Sequence, residues 1–305
     1  MPSLRARLVE LVLPLLGIKR LFSQPDRLDA RLARLRRRKS PRPAAKWHRH
    51  FEIEESVFAD FPVITMTPRG GARAGAPHIL FLHGGGYVLD INALHWDMLA
   101  RLCNDLGASA SVPIYPLAPE AKAGQTLPSI RALYGSLAQR YGASRLAIMG
   151  DSAGAGMGLA LAQGLAGDGA QMPGALVLFS PWLDATCSDE KQAAIERSDS
   201  MLAQAGLKAC AARYAGDIPP ADPRLSPLFG TLEGLPPVAV FAGTHDILVV
   251  DARRFQEKLV AAGTDHLYRE YDGMFHDWML FPIPEGRQAL AETARFLESR
   301  NFGEG

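Results

Sequence analysis

Cysteine is scarce in this chain: Cys103, Cys187 and Cys210 are the only three in 305 residues. The number is odd and no two stand in a C-x-x-C pair, which excludes a disulfide framework and a cysteine-based metal site. So few thiols fit a reducing compartment, and the cytoplasm is the expected location. Long hydrophobic runs are also missing. No stretch approaches the roughly 20 apolar residues of a spanning helix. The most apolar one, residues 8–18, is interrupted by Glu10 and Pro14, and Lys19-Arg20 follows it in place of a small-residue cleavage site, so no signal peptide is expected. Net charge is nearly absent, at +1, which excludes a whole-molecule field for nucleic acid. There is no internal repeat and no low-complexity tract.

What is present points to a large core. Apolar residues make up 48% of the chain and charged ones 21%, a balance that rules out wholesale disorder. The small net charge hides an asymmetry. Residues 1–50 hold 14 Lys/Arg against 3 Asp/Glu, and the remainder holds 19 against 29. Residues 3–21 and 26–38 read as two short helices, the second with Leu28, Leu32 and Leu35 on one stripe. Strands are expected at 51–54 and 63–66. Buried-type apolar runs then alternate with helical stretches: strands at 79–82, 108–114, 146–149, 176–179, 238–241 and 267–271, with helices at 94–106, 127–141, 153–166, 248–262 and 286–299. Such alternation predicts an α/β protein with a mainly parallel, doubly wound sheet covered on both faces. Between Leu183 and Ser226 only helical pieces are expected, at 188–196 and 200–214. That stretch reads as a lid, grouped with the N-terminal helices.

Gly150-Asp151-Ser152-Ala153-Gly154 fits G-x-S-x-G and stands between an expected strand and an expected helix. A turn that sharp strains the serine backbone, exposes its hydroxyl and needs small flanking residues. His83-Gly84-Gly85-Gly86 follows another strand. Its bare backbone leaves N–H groups free for an anion, and acyl transfer needs such donors. Gly84, Gly85 and Ala153 are the expected oxyanion donors. A serine hydroxyl needs a base, and the base an orienting acid, in the chain order Ser, Asp/Glu, His. His276 lies in a turn after a strand. His266 starts that strand and reads as structural. His245 is the main rival, although beside Asp246 it reads as a solvated loop residue. Asp246 follows the strand 238–241. Asp251 is the alternative acid, but inside a helix it is expected to face solvent or cap locally. Asp272 and Asp277 flank His276 too closely to orient its ring easily. The expected triad is Ser152, Asp246 and His276, with His83 bracing the glycine loop and Asp151 accepting hydrogen bonds beside the elbow.

Here the chain resembles the bacterial hormone-sensitive-lipase-like family of α/β-hydrolases. The matching pieces are His83 to Tyr87, Tyr115 to Glu120, Gly150 to Gly154, Ser180 to Asp184, Asp222-Pro223 with Ser226-Pro227-Leu228, Gly243 with Asp246 and Leu248, and Phe275-His276. The resemblance implies an α/β-hydrolase core with a helical cap and carboxylesterase activity on short- to medium-chain acyl esters without a cofactor or metal. By that reading residues 1–50 and 183–225 form the cap, and 51–182 with 226–305 form the core. One departure is Pro116, where many members carry arginine before Leu-Ala-Pro-Glu. Residues 1–50 match none of the family's motifs.

The expected reaction is ester hydrolysis through an acyl-enzyme on a small-molecule substrate. Lactone, amide or acetyl-ester hydrolysis by the same triad stays open, as does a non-catalytic ligand receptor on a hydrolase fold. Tyr87, Trp182, Met201, Leu202 and Trp278 are candidates to line the substrate pocket. A homodimer stays open. The N-terminal apolar stripes are expected to pack on the lid with the arginines solvated; peripheral contact with an anionic membrane is the competing reading. No aromatic residue interleaves the run from Arg34 to Lys39, which argues against nucleic acid.

Overall fold

A computed structural model describes residues 1–37, 39–300 and 302. The N-terminal segment is not two helices but three. α1 (Leu4–Val12) passes into a tight turn, α2 (Ile18–Phe22) follows, and α3 (Leu28–Leu35) ends before Arg38, which lies outside the described residues. The break has two causes. Pro14 has no N–H to continue the ladder, and Gly17 takes a left-handed φ of +78°. Leu28 and Leu32 are buried, but Leu35 is exposed.

The rest of the chain follows the expected alternation, with shifted ends. β1 (Phe51–Phe58) and β2 (Phe61–Pro68) form a hairpin longer than expected. Then come β3 (His78–Leu82), α4 (Ala93–Leu106), β4 (Ser109–Pro113), α5 (Ala123–Tyr141), β5 (Leu146–Asp151), α6 (Ser152–Gly167) and β6 (Ala175–Phe179). Helix α5 begins four residues earlier than expected. It tolerates Pro128 because the missing N–H removes only one bond near the start of a long helix. The insertion carries α7 (Lys191–Ile195) and α8 (Gln204–Ala215), with no strand among its described residues. β7 (Val238–Gly243), α9 (Val249–Ala261), β8 (His266–Tyr271) and α10 (Pro284–Glu298) complete the fold.

The eight strands make one sheet in the order β1-β2-β4-β3-β5-β6-β7-β8. β1 and β2 are antiparallel, and every pairing from β4 to β8 is parallel. Both faces of the parallel part are covered, so β3, β5, β6 and β7 are buried throughout and read as unbroken apolar runs. His78 is the polar exception in β3. Its ring nitrogens meet the Ser109 and Ser111 hydroxyls at 2.7 and 3.0 Å, its ring stacks on Tyr141, and burial pushes its pKa down to about 3.

The N-terminal helices divide between two supports. α1 lies against α10 and the β7 end: the Ser3 hydroxyl donates to Glu285, and Glu10 meets His245 at 2.8 Å. α2 lies against α8, with Phe22 over Gly206. The outer face of α1 has no partner among the described residues. Leu4, Leu8 and Leu11 are 73%, 55% and 75% exposed, Leu15 in the turn that follows is 82% exposed, and Ala6 is the one buried residue of the helix. The expectation that this stripe packs on the lid is therefore wrong: α1 is held by its narrow Ala6 face, which leaves the leucines outward. Beside Pro116, Arg36 of the N-terminal segment reaches Glu120 at 3.5 Å.

Because β5 is central and buried on both faces, Ile148→Ala should lower the unfolding free energy by about 2–5 kcal/mol in a urea titration. Val57→Ala on the exposed edge strand should change it by less than about 0.5 kcal/mol.

Candidate active site

The turn between β5 and α6 is built by backbone contact. A methyl group on Gly150 would lie 2.6 Å from the Gly154 carbonyl carbon and 2.7 Å from the Leu82 oxygen. One on Gly154 would collide with the Leu82 carbonyl and approach the His83 oxygen at 2.6 Å. Ser152 is thereby forced to φ +51°, a left-handed conformation that a serine adopts only under surrounding constraint. Its carbonyl accepts from the Trp182 amide at 3.1 Å. Its hydroxyl has no hydrogen-bond partner among the described residues.

β5, β7 and β8 end on one edge of the sheet, and their loops bring the candidate residues together there. Asp246 follows β7 and His276 follows β8. The two loops are tied by the Gly273 amide donating to Thr244 Oγ1 (2.7 Å) and the His245 amide to the Met274 carbonyl (2.9 Å). His276 Nδ1 lies 2.8 Å from Asp246 Oδ2, and Asp246 Oδ1 accepts from the Leu248 amide. Both side chains are buried. His245, the rival base, turns instead to Glu10 and is partly exposed. Asp251, expected to face solvent or cap locally, is fully buried. It accepts from the Asp184 amide (3.1 Å), the more distant Leu183 amide and the Gln192 side chain, and so holds the start of the insertion.

Asp277 departs from expectation most. Asp272 is exposed near the N-terminus, but Asp277 Oδ2 sits 3.0 Å from His276 Nε2. A left-handed φ of +54° folds its side chain back on the neighbouring ring, and its amide donates to Ser180 Oγ at 3.1 Å. Burial pushes the His276 imidazole towards neutrality, but the Asp246 and Asp277 carboxylates outweigh it and hold its pKa well above the ordinary value. Burial, set against His276 and reinforced by Asp151, raises the Asp277 pKa to about 7.

The glycine loop is braced from both sides. His83 lies 2.8 Å from the Gly84 carbonyl through Nδ1, stacks on Tyr115, and is kept neutral by burial, which lowers its pKa to about 4. Tyr115 donates to the His83 carbonyl at 2.6 Å. Asp151 is fully buried and meets His95 Nε2 at 3.1 Å. Burial raises its pKa, but His95, His83 and the Gly84 amide outweigh it and leave the carboxyl below its usual range. The amides of Gly84, Gly85, Gly86 and Ala153 donate to no protein acceptor among the described residues.

The candidate pocket residues divide. Tyr87 stacks on Tyr214 with centroids 3.9 Å apart and packs near Trp182, while Gly86 faces Cys210 and Phe22. Met201 and Leu202 are buried, and their amides bond Asp199 Oδ1. Trp278 packs beside Tyr271, on the side of α10. Sequence reasoning missed His95, Asp199 and Asp277. Asp199 Oδ2 accepts from the Ile247 amide at 2.9 Å and ties the insertion to the Asp246 loop. Nothing in spacing or periodicity marked that tie, whereas the run Asn92-x-x-His95 at the start of α4 is a capping pattern that could have flagged His95.

A strained serine at the end of a central parallel strand, a glycine loop beside it, and an Asp–His pair on adjacent strand ends define an α/β-hydrolase site. The chain belongs to that family: the model described as "alpha/beta hydrolase fold" matches residues 79–280. It is 36% identical to an esterase of Acinetobacter venetianus over 233 residues, covering 75% of this chain and 77% of that protein. It is 33% identical to an acetyl-hydrolase of Streptomyces hygroscopicus, covering 77% and 79%. Among solved structures, it is similar to an esterase from the bacterial hormone-sensitive lipase family, with TM-score 0.75, 30% identity and coverage of 90% and 98%. It is also similar to EstE5 soaked with p-nitrophenyl butyrate, with TM-score 0.80, 29% identity and coverage of 91% and 92%. The chain is accordingly a carboxylic ester hydrolase of the hormone-sensitive-lipase-like kind.

Gly154→Ala should force the β3 end and the elbow apart. We expect a loss of about 1–3 kcal/mol in denaturant unfolding together with a fall in esterase activity. A variant as stable and as active as the parent would show that the close approach is unnecessary.

Proposed function

We propose that Ser152 is the nucleophile of this esterase, His276 the base that serves it and Asp246 the acid that orients the base. The observation that carries this reading is the buried 2.8 Å contact between His276 Nδ1 and Asp246 Oδ2 at the same sheet edge as the strained Ser152. Ser152 attacks the ester carbonyl. His276 takes its proton and returns it to the departing alcohol, and water then repeats the cycle on the acyl-enzyme. The three expected donors, Gly84, Gly85 and Ala153, keep that role, and Gly86 joins them, since its amide too meets no protein acceptor among the described residues. Phe22 and Cys210 close over Gly86, each within about 3.6 Å of where a side chain there would begin. That narrow roof favours short acyl groups, and it is made by the N-terminal segment and the insertion, which we read together as the cap. The acetyl-hydrolase relative points the same way. Three buried free thiols agree with a cytoplasmic, reducing setting.

A second reading concerns partners. Among the described residues no helix is long and apolar enough to cross a membrane. The outward leucines of α1 are flanked by exposed Arg5 and Arg7, in a 50-residue segment carrying 14 basic and 3 acidic residues. Two copies meeting on this face would bring like charges together, whereas an anionic lipid surface complements both the leucines and the arginines. We therefore favour peripheral docking on anionic lipid over a homodimer. Vesicles of phosphatidylglycerol should sediment the protein, phosphatidylcholine vesicles should not, and Leu8→Glu should abolish the difference. Equal absence of binding to both would overturn docking, and a concentration-dependent dimer lost in Leu8→Glu would replace it.

Ser152→Ala should lower turnover of p-nitrophenyl acetate and butyrate by at least ~10³-fold with unchanged stability. A variant keeping a tenth of the parent's activity would remove Ser152 from the nucleophile's role.

A further inference from the structure

The triad mechanism requires His276 Nε2 to face the Ser152 hydroxyl. In the structure that nitrogen is occupied by Asp277 Oδ2 at 3.0 Å, and the Ser152 hydroxyl has no hydrogen-bond partner among the described residues. The contact is built in rather than incidental. The left-handed backbone at Asp277 turns its carboxyl onto the ring, the bond from its amide to Ser180 fixes that backbone, and the side chain is buried. Its second oxygen, Oδ1, is buried and meets no donor among the described residues, so none of them draws the carboxyl away.

We infer that Asp277 is a positioning residue that competes with Ser152 for His276 Nε2 and so sets the pH above which the esterase works. This rests on the triad reading. With Nδ1 committed to Asp246, a hydrogen bond between Nε2 and Asp277 requires a proton on one of them: either imidazolium with carboxylate, or imidazole with carboxylic acid. Either form blocks the lone pair that must accept the Ser152 proton. When the shared proton leaves to solvent, a carboxylate faces a lone pair, the two repel, and Nε2 is released to Ser152. The other charged or titratable groups around this pair are Asp246, Asp151 at the end of β5, His95 on α4 and Asp199 of the insertion. Three of these four are carboxylates, and they act with Asp277 to retain the proton. The raised pKa values of His276 and Asp277 follow the same direction.

The sign of the effect is fixed. A raised pKa on the base means that the competent, deprotonated form is lost as pH falls through a higher value than an isolated triad would show. Removing the Asp277 charge should move the acid limb of kcat/KM downwards. The test is the pH profile of kcat/KM for p-nitrophenyl butyrate with wild type, Asp277→Asn and Asp277→Gly. Both substitutions tolerate the left-handed backbone, and the glycine also removes any side-chain donor to Nε2. A shift of one unit or more is expected, which gives about a tenfold gain over wild type on the acid limb and no gain at alkaline pH. An unchanged limb, with activity lowered by the same factor at every pH, would overturn the inference and leave Asp277 a structural residue. Should the glycine variant fail to fold, the asparagine variant decides alone. Ser152→Ala, run beside them, separates the two levels: retained activity there would mean that the triad reading itself had failed.

Discussion

The close approach of three backbone segments at the end of β5 is the constraint on which the site depends. Gly150, Gly154 and the Leu82–His83 carbonyls touch with no room for a Cβ. That contact forces the Ser152 backbone into its left-handed turn and starts α6 at the serine. It also places the glycine loop, which continues directly from Leu82, beside the serine. One packing requirement therefore sets both the hydroxyl and the amides that would receive the developing anion. The Asp–His pair is positioned separately, by the parallel register of β7 and β8, so its loops emerge side by side and tie to each other.

Buried carboxyl groups form a second layer around this frame. Asp151 ties the glycine loop to α4 through His95, Asp199 ties the insertion to the Asp246 loop, and Asp251 ties the start of the insertion to α9. Each accepts hydrogen bonds from amides or an imidazole, which is what makes a buried acid tolerable. Asp199 and Asp251 thereby connect the insertion to the Asp246 loop and to α9 without any apolar signature. Leaving one of these groups unpaired would cost more than the bond itself.

The sheet was legible because its central strands are buried on both faces and read as apolar runs, with helical stretches between them. The motifs at Gly84–Gly86 and Gly150–Gly154 were legible because only glycine satisfies the contacts there. What escaped had no such mark. Asp277 was set aside because a neighbouring residue in extended backbone points away from its neighbour's ring, and only a left-handed φ brings it back. Asp251 was read as facing solvent or capping locally because it sits inside a helix, although it faces inwards. The leucines of α1 were expected to be covered because apolar stripes usually are, and burial depends on a partner that periodicity does not name.

The central claim is that ester hydrolysis passes through an acyl group on Ser152. Its most direct test is intact-mass measurement of the protein quenched in acid within the first turnover of p-nitrophenyl butyrate, followed by peptide mapping. The account predicts a single butyryl adduct on the peptide carrying Ser152, absent in Ser152→Ala. Rapid release of p-nitrophenol with no adduct, or an adduct on a different residue, would contradict it.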